Sequence, residues 1–172
     1  MLEHIPFPKV PLRLPSVLSP DEVAHLIESA NNPLYRTILM TLYSTGMRRA
    51  ELVLLKESGI DKERMLLHVR QGKGKRDRSV PLSQKLLDNL REYWCWMKPV
   101  THVFPGIVDG RRVDTPLSDK VVWHAFREAA QRAGITQRVT PHTLRHYAAS
   151  RTMPRVGAQA PIHAHLKRGE AA

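Results

Sequence analysis

Three short stretches of this 172-residue chain carry side chains suited to holding an anion. In "TGMRRAEL" Gly46 ends a helical stripe, Arg48 stands at the corner just beyond it, and Glu51 follows three residues on. A guanidinium is charged at any working pH and presents a planar fork that matches phosphate oxygens, and Glu51 is spaced to orient it by a hydrogen bond. A surface arginine in an ordinary helical ion pair has the same spacing. In "QGKGKRDRSVPL" the glycines at 72 and 74 let the backbone turn, so that Lys73 projects from a hairpin tip towards a groove or a reaction centre; solvated basic tips share this pattern. In "TPHTLRH", read as helix, His142 and Arg145 are three apart and share a face, so one anion can touch both. His142 and His146 have zinc-ligand spacing as well. The residue after His142 is Thr143, where a zinc-protease helix carries glutamate, so no metal is expected.

The elements that must position these groups are punctuated clearly. Ser19, Pro20 and Glu22 form a helix start with a capping box, and Leu18 with Val23 supplies the staple, giving a first helix from about Pro20 to Ala30. Asn32 and Pro33 repeat the signal, and Leu34, Ile38, Leu39 and Leu42 give a stripe that stops at Gly46. A third short helix is expected across "RRAELVLLKE". Met65, Leu67 and Val69 then alternate with Leu66, His68 and Arg70, which predicts a strand, paired through the glycine turn with "RDRSVPL". "SQKLLDNLREYWCWMK" returns to helix, with Leu86, Leu87, Leu90, Tyr93, Trp94 and Met97 on one core-facing side and Pro99 as its stop. Residues 99–117 read as loop. Ser118 opens a helix closed by Gly134, and Thr140 with Pro141 caps the segment that carries His142 and Arg145. The expected fold is therefore α+β, predominantly helical, with one small antiparallel sheet.

Composition narrows the function classes. Lys and Arg number 27 against 16 Asp and Glu, a net charge of +11, which points to a polyanionic partner. The charge is clustered: Arg70 to Arg78 holds five cations and one acid, which marks Arg70, Lys75, Arg76 and Arg78 as DNA-contacting candidates beside Lys73. No apolar run suffices to cross a bilayer, and "MLEHIPFPKV" lacks a signal-peptide pattern, so no membrane role and a cytoplasmic location are expected. The single cysteine, Cys95, has no disulfide partner in the chain and reads as core filler beside its aromatic neighbours. Pro6, Pro8, Pro11 and Pro15 make residues 1–17 an extended arm or linker.

Taken in order, "TGMRRAEL", "GKGKRDRSVPL" and "TPHTLRHYAAS" resemble the catalytic-domain signatures of the tyrosine recombinases, the phage-integrase family of site-specific DNA recombinases. The resemblance runs from about Leu18 to Ser150. It implies that Arg48 is the first catalytic arginine, Glu51 the acidic residue beside it, Lys73 the hairpin lysine (Lys75 in the alternative register), and His142 with Arg145 the family's His-x-x-Arg. It also implies a tyrosine that attacks a DNA phosphate, giving a 3′-phosphotyrosyl link and a free 5′-hydroxyl, on double-stranded DNA held by a homo-oligomer. No metal or nucleotide cofactor is implied.

The resemblance carries expectations of absence too. The family continues past His-x-x-Arg with a third-histidine motif and a helix bearing the tyrosine, and neither aligns in the 27 residues after Arg145. Tyr35, Tyr43, Tyr93 and Tyr147 read as packing residues. Pro154 and Pro161 interrupt a segment without aromatic residues, so residues 18–152 are expected to be a partial catalytic domain and 153–172 an irregular tail from truncation or a shifted reading frame. The amino-terminal core-binding domain of the family is likewise not matched. Two other classes stay open at this point: a noncatalytic DNA-binding or partner-binding module, and a metallohydrolase built on His142 and His146.

Overall fold

The computed structural model describes residues 18–70, 77–137 and 139–145. The expected arm over 1–17 and tail over 153–172 lie outside them, as do Lys73, Lys75, Arg76 and His146. The described chain runs α1 (Pro20–Glu28), α2 (Pro33–Thr45), α3 (Arg49–Val53), a 3-10 turn (Glu57–Gly59), β1 (Ile60–Asp61), β2 (Leu66–Val69), β3 (Arg78–Pro81), α4 (Gln84–Met97), β4 (Pro105–Val108), β5 (Arg111–Pro116) and α5 (Asp119–Arg132). Residues 141–145 begin a further helical segment. The fold is α+β and mostly helical.

The helix starts follow from the capping residues. Ser19 accepts the Glu22 N–H while the Glu22 carboxylate accepts the Ser19 N–H at 2.6 Å, Asn32 accepts the Tyr35 N–H, and Ser83 and Ser118 cap α4 and α5. Each such cap contributes about 1 kcal/mol. The central element is α2, which packs against α1, α3, α4 and α5 and buries Leu34, Ile38, Leu39 and Leu42 in the core. Two of its buried threonines bond within the helix, Thr41 Oγ1 to the Thr37 carbonyl at 2.7 Å and Thr45 Oγ1 to the Thr41 carbonyl at 2.6 Å.

β1, β2 and β3 form one antiparallel sheet with β2 in the middle, and Leu67 sits opposite Val80. Leu67 and Val69 point into the core as expected. Met65 does not join the strand: it turns the chain into β2 at φ 53°. The predicted loop over 99–117 instead contains a second antiparallel pair, β4 with β5, whose turn is Asp109 and Gly110, both at positive φ. The third helix is shorter than expected, ending at Val53. Cys95 is exposed rather than core, because α4 buries 86, 87, 90, 93 and 97 and position 95 falls off that stripe. Trp94 is only half-buried against the core.

Candidate active site

The site is built at the α2–α3 corner. Gly46 takes φ 61°, the left-handed conformation that ends α2, and donates its N–H to the Leu42 carbonyl. Thr45 Oγ1 accepts the Met47 N–H, and Met47 is buried, which anchors the corner so that Arg48 leads into α3. Glu51, one turn along, is only 6% exposed. Its carboxylate accepts three charge-assisted or backbone hydrogen bonds: the Arg48 N–H at 2.8 Å, Arg48 Nη1 at 2.7 Å, and Arg78 Nη2 at 2.7 Å. The expected Arg48–Glu51 bond is present, and Glu51 also reaches a second arginine.

Arg78 therefore stands elsewhere than its place in the basic cluster suggests. It opens β3 opposite Val69 and on the same face as Val80, two residues on, so its side chain enters the site and binds Glu51. That alternation was readable in "RSVPL", and it was the missed signal. Arg70, at the end of β2, is exposed and lines a neighbouring pocket.

Arg145 comes from the last described helical turn, which Thr140 and Thr143 cap: Thr143 Oγ1 accepts the Thr140 N–H at 3.0 Å, and the Thr140 carbonyl accepts the Thr143 N–H. Buried Leu144 packs this turn onto the core. Arg48, His142 and Arg145 then line one pocket of about 350 Å³, with Arg49 and Asp119, themselves paired at 3.3 Å, at its side. Arg145 Nη1 is buried with no hydrogen-bond partner among the described residues.

The electrostatics follow from this crowding. Burial raises the Glu51 carboxyl, but the Arg48 N–H and the Arg78 and Arg48 guanidinium groups outweigh it and hold its pKa below the ordinary carboxylate value. Burial, then the charges of Arg48 and Arg78, lower the pKa of Arg145, with Glu51 partly offsetting them. An arginine stays protonated through such a shift. Three guanidinium groups thus share one carboxylate, which leaves two positive charges unbalanced. Such a cluster suits a dianionic or diester phosphate, since forks and an imidazole converge on one pocket. Among the described residues no group of three metal-ligating side chains converges, and no helix is long and apolar enough to cross a membrane.

Comparison with known proteins gives a consistent picture. The sequence model of the phage integrase family matches residues 16–163, past Ser150 where the motif resemblance stops. A putative integrase/recombinase of Sinorhizobium fredii, y4qK, is 42% identical over 144 residues, 84% of this chain and 46% of the relative. Tyrosine recombinase XerA of Pyrococcus furiosus is 39% identical over 157 residues, 89% of this chain and 53% of the relative. The chain spans about half the length of these curated relatives. The crystal structure of a XerA recombinase superposes with a TM-score of 0.70 at 32% identity, covering 84% of this chain and 51% of that one. A lambda integrase dimer bound to a COC′ core site shares the fold, with a TM-score of 0.63 at 22% identity over 78% of this chain and 51% of that one.

Proposed function

The chain belongs to the phage integrase family of tyrosine recombinases, and from that we propose that its described residues form the phosphate-holding part of a site for site-specific DNA cleavage and rejoining. One observation carries the reading: Arg48, Arg78 and Arg145 converge around the single carboxylate of Glu51, in and beside a pocket that His142 also lines.

In-line transfer at a phosphodiester builds negative charge on the non-bridging oxygens, and preorganised guanidinium forks offset that charge without reorganisation. Arg48 and Arg145 are the forks. Arg78 and Glu51 hold Arg48 in place, His142 positions or takes the nucleophile's proton, and Lys73, outside the described residues, is the general acid for the departing 5′-oxygen. Arg70, Lys75 and Arg76 contact the duplex around the site. The partner is double-stranded DNA, a reading supported by a solved lambda integrase structure that is bound to DNA, and such a partner fits a cytoplasmic location.

The nucleophile is a separate matter. In the sequence the one tyrosine after Arg145 is Tyr147, which lies outside the described residues and which the motif resemblance does not align with the family's nucleophile. We propose that the 172-residue polypeptide binds and polarises a DNA phosphate through Arg48 and Arg145 without forming a covalent link to it. Incubation with nicked duplex DNA followed by denaturing electrophoresis tests this, with Arg48→Ala and Arg145→Ala beside the unaltered chain. Duplex binding weakened in both variants, with no covalent adduct in any lane, is the expected result. A denaturant-resistant protein–DNA adduct would overturn the inactive reading, and binding indifferent to both substitutions would favour a noncatalytic module that grips DNA elsewhere.

A further inference from the structure

We propose that a second pocket, beside the one that holds Arg145, is a separate phosphate-binding site, and that its phosphate belongs to the DNA backbone; the identity of that source rests on the DNA reading above. The pocket has a volume of about 350 Å³ and lies between the end of α3, the 3-10 turn, β2 and the stretch around His102. Glu51 lines it, whereas Arg48 lines the first pocket, so their ion pair stands between the two.

Its charge is unbalanced. Lys56 and Arg70 face the pocket, and among the described residues neither has a carboxylate within ion-pair distance. Glu51 is the carboxylate in the lining, and both of its oxygens are taken by Arg48 and Arg78. His102 Nδ1 is buried and has no hydrogen-bond partner among the described residues. The backbone sets that ring in place: His102 bridges to Lys56, and the Leu55 carbonyl accepts the Val103 N–H at 2.9 Å. His68, also in the lining, is held by Ser79 Oγ at 3.0 Å.

The remaining walls are Leu54, Leu55, Val69 and Gly59. Gly59 lets the 3-10 turn close on β2, since a Cβ there would lie 3.0 Å from the His68 carbonyl oxygen. Apolar walls lower the local dielectric and strengthen what a buried donor and two cations offer an anion. A turn of the His102 ring that brings the buried Nδ1–H to the pocket lets it donate alongside Lys56 and Arg70, three donors that match the oxygens of a phosphate.

Two measurements test the site. In the first, duplex binding is followed across salt concentration for Lys56→Ala, Arg70→Ala, His102→Leu, Arg145→Ala and the Lys56→Ala/Arg145→Ala pair, with folding checked by circular dichroism. Each cation removed from a phosphate is expected to reduce the log–log salt slope by about 0.9, and the pair by about twice that, because the two pockets hold different phosphates. His102→Leu is expected to weaken binding about tenfold with little change in slope. Slopes unchanged in Lys56→Ala and Arg70→Ala but reduced in Arg145→Ala would overturn the second site and leave the first standing. No change in any variant would remove the DNA reading itself. In the second measurement, the His102 ring resonances are followed by NMR as inorganic phosphate or duplex is added. Shifts with both support the site; shifts with phosphate alone would overturn its assignment to the DNA backbone.

Discussion

Glu51 carries a charge that three hydrogen bonds from Arg48 and Arg78 stabilise, and its titration is the sharpest single-residue consequence. Its folded pKa lies below the unfolded value of about 4.3, so its contribution is fully present above that value and is lost as pH falls through the folded pKa. Glu51→Gln is expected to cost about 1–3 kcal/mol at pH 7, because it weakens two hydrogen bonds to half-exposed arginines. Thermal unfolding of both proteins from pH 7 to pH 3 should show the gap between them closing as the solution is acidified; a gap independent of pH would contradict this role. Arg145 gives two effects of opposite sign. Arg145→Met removes a buried N–H without a partner and a like charge beside Arg48 and Arg78, so the free protein should be as stable or slightly more so, while duplex binding falls. A loss of both together would mean that Arg145 serves packing instead. The Arg48–Glu51 bond could be read from spacing alone. The Arg78–Glu51 bond could not, because 27 residues separate the partners and only the β2–β3 register brings them together.

The element that sets Arg48 is the α2–α3 corner, and its vulnerable point is Gly46 at φ 61°. Gly46→Ala places a Cβ in the left-handed region and should cost about 1 kcal/mol, with weakened duplex binding because Arg48 follows two residues on. Urea denaturation together with binding measures both; full stability with full binding would show that the corner tolerates a Cβ. Helix starts were legible because Ser19, Asn32, Ser83 and Ser118 act locally, each on a backbone N–H two or three residues ahead. The β4–β5 pair escaped for a physical reason: β5 is exposed almost throughout, so it has no apolar alternation to detect, and Pro105 and Pro116 bracket the pair like loop residues. Its Asp109-Gly110 turn was the available signal.

At the scale of the whole molecule, a net charge of +11 sets non-specific attraction to DNA, and the arginine cluster sets where a phosphate is held. Duplex affinity should fall steeply with added salt, by about 0.9 in log–log slope for each phosphate contacted, and an affinity independent of salt would be incompatible with phosphate-dominated binding. The family was legible from three ordered motifs because local chemistry fixes residue type in each: two sit at element boundaries, at the helix-ending Gly46 and the Thr140 cap, and the third leads into β3 at Arg78. The convergence of those motifs was not, since Arg48 and Arg145 are 97 residues apart in sequence and only packing through α2, α5 and Leu144 brings them to one pocket. The most direct test is a crystal structure of the 172-residue polypeptide with duplex DNA. The expected result is a backbone phosphate within hydrogen-bond distance of both Arg48 and Arg145, with His142 beside it. Duplex seated on another face, with no phosphate at these two guanidinium groups, would contradict the account.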